Sequence, residues 1–151
     1  MKDLQILERK NFKAIDFFNS ETARKNKINN FCDNQTILEN LSIIADKIQE
    51  IRNLFDRPVI INSAYRNPQV NKLVGGSKYS QHMYGQAIDF VCPGFGTPQE
   101  IVLYMKNVGI EVDQCLIEKG WVHLSVKKRG NRNQFGTLIN GVFRIISTNE
   151  V

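Results

Sequence analysis

The longest periodic stretch in the chain lies between residues 36 and 55. There Leu41, Ile44, Ile48, Ile51 and Phe55 recur at three- and four-residue spacing among charged neighbours. This period places them on one stripe of a helix, and so long a stripe must be buried against a second layer. Asn34 or Thr36 supplies the N-cap. Asp56-Arg57-Pro58 ends the helix, because proline has no amide to donate and its ring clashes with the preceding turn.

The rest of the chain indicates what the second layer is. Residues 58–63, 86–92, 114–117, 121–126 and 142–147 are short, rich in β-branched or alternating apolar residues, and bounded by Gly, Pro, Asn and Lys. They read as strands. Two further helices are expected. One opens at Asn67-Pro68, carries Val70, Leu73 and Val74, and ends at Gly75-Gly76-Ser77. The other is capped by Thr97, Pro98 and Glu100 and runs to about Asn107. Helices lead and strands follow, which defines an α+β fold with N-terminal helices packed on a mostly antiparallel sheet. Loops 72–80 and 127–136 are expected to shape whatever cleft the fold offers.

With 151 residues, 42% of them hydrophobic, the chain has enough apolar surface for one core, so a single domain spanning 1–151 is expected. No apolar run reaches the roughly 20 residues of a membrane helix. Charges interrupt the hydrophobics of the first eighteen residues, unlike a signal peptide. A soluble chain, cytoplasmic as synthesised, is the expectation. Cys32, Cys92 and Cys115 form no CxxC pair, so reduced thiols are expected rather than a disulfide framework or a thiolate metal knot. The net charge of +5 suits an anionic partner. However, Lys127, Lys128, Arg129 and Arg132 sit in a turn-rich stretch with no stacking or helix-turn-helix motif, so nucleic acid is not an expected partner.

The chain has two histidines, His82 and His123. In Ser80-Gln81-His82-Met83-Tyr84-Gly85-Gln86-Ala87-Ile88-Asp89 an imidazole and a carboxylate flank a glycine that allows a turn into a strand. Trp121-Val122-His123 brings the second imidazole. Two neutral nitrogens and one carboxylate oxygen give zinc three protein ligands and leave a fourth position for water, which is the pattern of a catalytic rather than a structural site. Cys92 and Cys115 read as small buried apolar residues outside that set.

SQHMYGQAID resembles the SxHxxGxAxD signature of the M15 zinc D-Ala-D-Ala peptidases, and WVHLSV is similar to their second histidine motif. NSAYRNPQVNKLVGGS is similar to the SGYR-type segment that precedes the signature, and the N-terminal helices resemble the short, phage-type, endolysin-like branch of the family. The resemblance implies a hedgehog/DD-peptidase-like fold and a Zn2+ cofactor on His82, Asp89 and His123. It implies that Arg66 steadies the polarised carbonyl and that Ser80 binds substrate. The implied substrates are peptidoglycan peptides, cut as a D-Ala-D-Ala carboxypeptidase or an L-Ala-D-Glu type endopeptidase. A monomer without membrane insertion is expected, reaching the wall by lysis, a pore or a phage particle. Trp121 and Tyr84 flank the ligands and can wall the cleft.

A general base is also required. Many M15 members carry an acid three positions before the second histidine, where this chain has Gly120. Glu118 is the candidate if Lys119-Gly120 form a turn. Asp113 is the second candidate, or else an orienting partner for a ligand histidine. The departure at Gly120 keeps an alternative open, a non-catalytic zinc-containing binding module such as the hedgehog domains of similar fold.

Overall fold

The computed structural model describes residues 4–146; Ser147, the end of the strand expected at 142–147, lies outside them. Two 3-10 turns, Leu4–Leu7 and Ala14–Phe18, lead into α1 (Glu21–Lys25) and α2 (Gln35–Phe55). Next come β1 (Ile60–Ser63), α3 (Pro68–Leu73), a 3-10 turn at Gln81–Tyr84, and β2 (Ala87–Val91). The chain continues through α4 (Pro98–Val108), β3 (Gln114–Ile117), β4 (Val122–Ser125), β5 (Gln134–Ile139) and β6 (Val142–Ile145).

The helix ends follow from local chemistry. Of the two candidate N-caps for α2 the structure uses Asn34, whose Oδ1 accepts the Ile37 amide at 3.0 Å. In α4 the capping box closes both ways: the Glu100 amide donates to Thr97 Oγ1 at 3.2 Å and the Thr97 amide to Glu100 Oε1 at 3.0 Å. The apolar stripe of α2, Leu38, Leu41, Ile44, Ala45, Ile48, Ile51 and Phe55, is buried throughout. Each large aliphatic side chain removed from water contributes about 1.5–3 kcal/mol.

The six strands run in the order β1-β2-β4-β3-β5-β6. Every neighbouring pair is antiparallel except β3 and β5, which are parallel. Strand residues alternate between faces. Ile88 opposite Leu124 and Phe90 opposite Val122 enter the core cluster with α2 and α4. Their neighbours, Ala87 opposite Ser125 and Asp89 opposite His123, face the other way. The register of this central pair therefore brings two chemically active residues together.

One expectation needs correction. Residues 127–136 are not loop throughout, since β5 begins at Gln134 and completes the sheet beside β3. Its Gly136 lies so close to β6 that a Cβ there would meet the Arg144 carbonyl oxygen, and this is why a strand with an interrupting glycine exists here. Within the basic stretch that precedes β5, Arg132 and Lys127 turn inward to Asp113, at 2.8 and 3.6 Å. Cys92 and Cys115 are buried and Cys32 half-buried, and all three are free thiols. Among the described residues no helix is long and apolar enough to cross a membrane.

Candidate metal centre and active site

The end of β1 and the turn after α3 hold each other. The Arg66 amide donates to the His82 carbonyl at 3.1 Å. His82 Nδ1 lies 2.6 Å from the Ala64 carbonyl oxygen. A carbonyl only accepts, so Nδ1 carries the proton and Nε2 is left with a bare lone pair. Ser80 caps this turn, its hydroxyl accepting the His82 amide at 3.2 Å. From there the chain enters β2 and delivers Asp89 directly opposite His123 of β4.

The three expected ligands meet. One donor atom from each of His82, Asp89 and His123 lies within 4.8 Å of the other two. Asp89 Oδ1 is 2.9 Å from His123 Nδ1, and Asp89 Oδ2 is 3.3 Å from His82 Nε2. His82 is 1% exposed, and its Nε2 has no hydrogen-bond partner. Burial pushes this imidazole below its ordinary pKa, against the pull of Asp89. Burial alone would raise the Asp89 carboxyl, but His82 and His123 outweigh it and hold it well below the usual carboxylate range. A neutral nitrogen lone pair therefore faces an ionised oxygen inside the protein. Such an arrangement is costly unless a cation sits between them, so the donor set fits a bound metal.

Arg66 borders the site. Its Nη2 is 3.7 Å from Asp89 Oδ2, its Nη1 donates to Asn71 Oδ1 at 3.2 Å, and its buried Nε has no partner. Burial lowers its pKa from the ordinary guanidinium value, with Asp89 and Glu118 acting the other way.

Glu118 reaches the same cleft. The β3–β4 connection is a tight turn in which the Glu118 amide donates to the Trp121 carbonyl at 2.9 Å and the Gly120 amide to the Glu118 carbonyl at 2.8 Å. Gly120 has φ of +104°, a conformation that side-chain-bearing residues rarely adopt. Trp121 Nε1 donates to Glu118 Oε2 at 2.6 Å and fixes the carboxylate. Burial, reinforced by the charge on Asp89, raises the Glu118 pKa above its ordinary value. A half-buried carboxylate with a raised pKa, across a cleft from a metal-type donor set, is suited to proton transfer.

The cleft measures about 670 Å3 and is lined by Arg66, Ser80, His82, Asp89, Glu118, Trp121 and His123, which brings the three expected ligands together with the first base candidate and the expected substrate-binding residues. Two other expectations are corrected. Tyr84 does not wall this cleft but lies in a separate depression with Ile37, Lys72 and Met83. Asp113 is neither the base nor a histidine partner. It is fully buried, and its carboxylate is occupied by Arg132, Gln81 and Ser125. Part of the rim was also missed. The expected loop 72–80 does line the cleft, through Tyr79 among others, but Lys119, Leu138, Asn140 and Gly141 line it as well, whereas the 127–133 loop does not. The signal for the last two was Asn140-Gly141 between apolar runs. The structure gives both positive φ, which is the tight hairpin turn this dipeptide favours.

An open three-donor site with a carboxylate across the cleft, built at the centre of an α+β sheet, is the arrangement of a metal-dependent hydrolase. A family model described as Peptidase M15 matches residues 11–125, and the chain belongs to that metallopeptidase family. The architecture is that of the hedgehog/DD-peptidase-like fold. No curated protein matches the chain.

Proposed function

We propose that the chain is a zinc-dependent peptidase of the bacterial cell wall, hydrolysing an amide bond in peptidoglycan peptides, at either a D-Ala-D-Ala end or an internal L-Ala to D-Glu link. The observation that carries this reading is the bare, buried His82 Nε2 facing Asp89 at an open cleft that Glu118 also lines. His82, Asp89 and His123 are the residues that would hold the ion. When bound, zinc supplies Lewis acidity, acidifying a water ligand and polarising the scissile carbonyl.

The other roles belong to side chains of this chain. Glu118, held by Trp121, accepts the proton of the attacking water and returns it to the leaving amine. Arg66 offers its guanidinium to the carbonyl oxygen as that oxygen gains negative charge. The Ser80 oxygen already accepts the His82 amide, which leaves its O–H free to donate to substrate. Trp121, half-buried at the rim, supplies an apolar wall for the peptide.

The test is amino-group release from purified peptidoglycan by the zinc-loaded protein, beside a chelated sample and the Glu118→Gln variant. Release should need zinc, and Glu118→Gln should lower kcat about 10²–10⁴-fold while the variant still binds one ion. Mass spectrometry of the products identifies the bond. Zinc bound without any release overturns the peptidase reading and leaves the non-catalytic binding module in its place.

A further inference from the structure

The carboxylate of Asp113 accepts five hydrogen bonds outside the cleft, and the mechanism above does not use it. Its side chain is 0% exposed. Oδ2 accepts from Gln81 Nε2 at 2.9 Å, from Ser125 Oγ at 3.2 Å and from Arg132 Nη2 at 2.8 Å. Oδ1 accepts from the Arg132 amide at 3.0 Å and from Arg132 Nε at 2.9 Å.

The partners matter more than their number. Gln81 immediately precedes His82 in the 3-10 turn. Ser125 lies two residues beyond His123 on β4, hence on the same face of that strand. The two histidines come from segments 41 positions apart in sequence (123 − 82). His82 and Asp89 are close in sequence, and Asp89 pairs with His123 through the sheet. The turn carrying His82, by contrast, belongs to no strand; Ala64 and Arg66 hold it to the segment that follows β1, and the Gln81–Asp113–Ser125 chain is a side-chain link from it to β4.

We infer that Asp113 is a positioning residue for the metal centre: through Gln81 and Ser125 it fixes the turn bearing His82 against the strand bearing His123. Arg132 supports it from behind. Its fork satisfies the buried charge, so the carboxylate can hold both arms without a large desolvation cost. The inference rests on the reading of His82, Asp89 and His123 as a metal site, but not on what the site hydrolyses. A group that orients ligands from behind characteristically affects metal affinity more than folding.

The experiment compares the unsubstituted chain with Gln81→Ala and Ser125→Ala. Each removes one arm and leaves the Asp113–Arg132 pair intact. Zinc affinity is measured by chelator competition well below the unfolding temperature, and the cobalt-loaded proteins are compared by their visible absorption. His82→Ala gives the baseline. Each arm variant should lose about 10–100-fold in zinc affinity and show an altered cobalt spectrum, while the metal-free proteins unfold within a few degrees of one another. Unchanged affinity and spectrum in both variants overturn the inference. So does a loss of affinity that merely follows loss of metal-free folding. Tight, arm-dependent zinc binding without peptidase activity would sink the proposed function and leave this inference standing. No metal bound by the unsubstituted chain would overturn both.

Discussion

Gly120 stands where many M15 members carry an acid, and its backbone shows why this chain does not. At φ of +104° a side chain is strained, and the turn it forms carries Glu118 to the cleft instead. A carboxylate restored at 120 should therefore be harmful. Gly120→Glu should cost about 1–3 kcal/mol in urea denaturation, and it should not recover activity when combined with Glu118→Gln. An active double variant would mean that the turn tolerates the side chain. At this scale the sequence was informative wherever chemistry and spacing coincide. His82, Asp89, His123, Arg66 and Ser80 all border one cleft, because each lies in or beside a motif short enough to fix its own geometry. Asp113 was misread because its partners, Gln81, Ser125 and Arg132, are 32, 12 and 19 positions away. Nothing local shows that a carboxylate will be filled from three directions.

Asp113 also joins elements, so its charge contributes to stability. Burial alone would raise its pKa, but hydrogen bonds from the Arg132 side chain and amide and from Gln81 outweigh it and hold the carboxyl well below the usual range. A depressed folded-state pKa means the contribution is fully present above the unfolded value of about 4. It is then lost as pH falls through the folded value. Asp113→Asn should lower the urea midpoint at neutral pH, and the gap to the unsubstituted chain should narrow as the solution is taken well below about pH 4. A constant gap would show that the residue acts through shape and not charge. Other elements were legible to different degrees. The α2 and α4 helices follow from periodicity and caps, which are local. The parallel strand β5 was not foreseen, because Gln134, Gly136 and Thr137 carry little apolar signal. Its place depends on β3 on one side and on close approach to β6 on the other.

For the whole molecule, the question is how far the fold depends on its metal. The core cluster runs from Leu7 through α2, the inner face of the sheet and α4 to Ile146 without using any of the three donors. The metal-free chain should therefore keep its helices and strands. Its cost falls on His82 Nε2 and Asp89 Oδ2, a buried lone pair and a carboxylate oxygen 3.3 Å apart. An ion that binds the folded chain and not the unfolded one adds about 2.7 kcal/mol at a free concentration one hundred times its Kd. For a domain of this length that corresponds to a rise of roughly 5–10 °C in Tm. Calorimetry with and without chelator should show this rise alongside unchanged far-ultraviolet circular dichroism. Asp89→Asn should abolish the zinc-dependent increment, because the neutral amide removes the charged donor while leaving the sheet register in place. If chelation instead unfolds the chain, the metal is a structural support of the core. If zinc raises the Asp89→Asn midpoint as much as that of the unsubstituted chain, the stabilising ion binds somewhere other than between the two histidines.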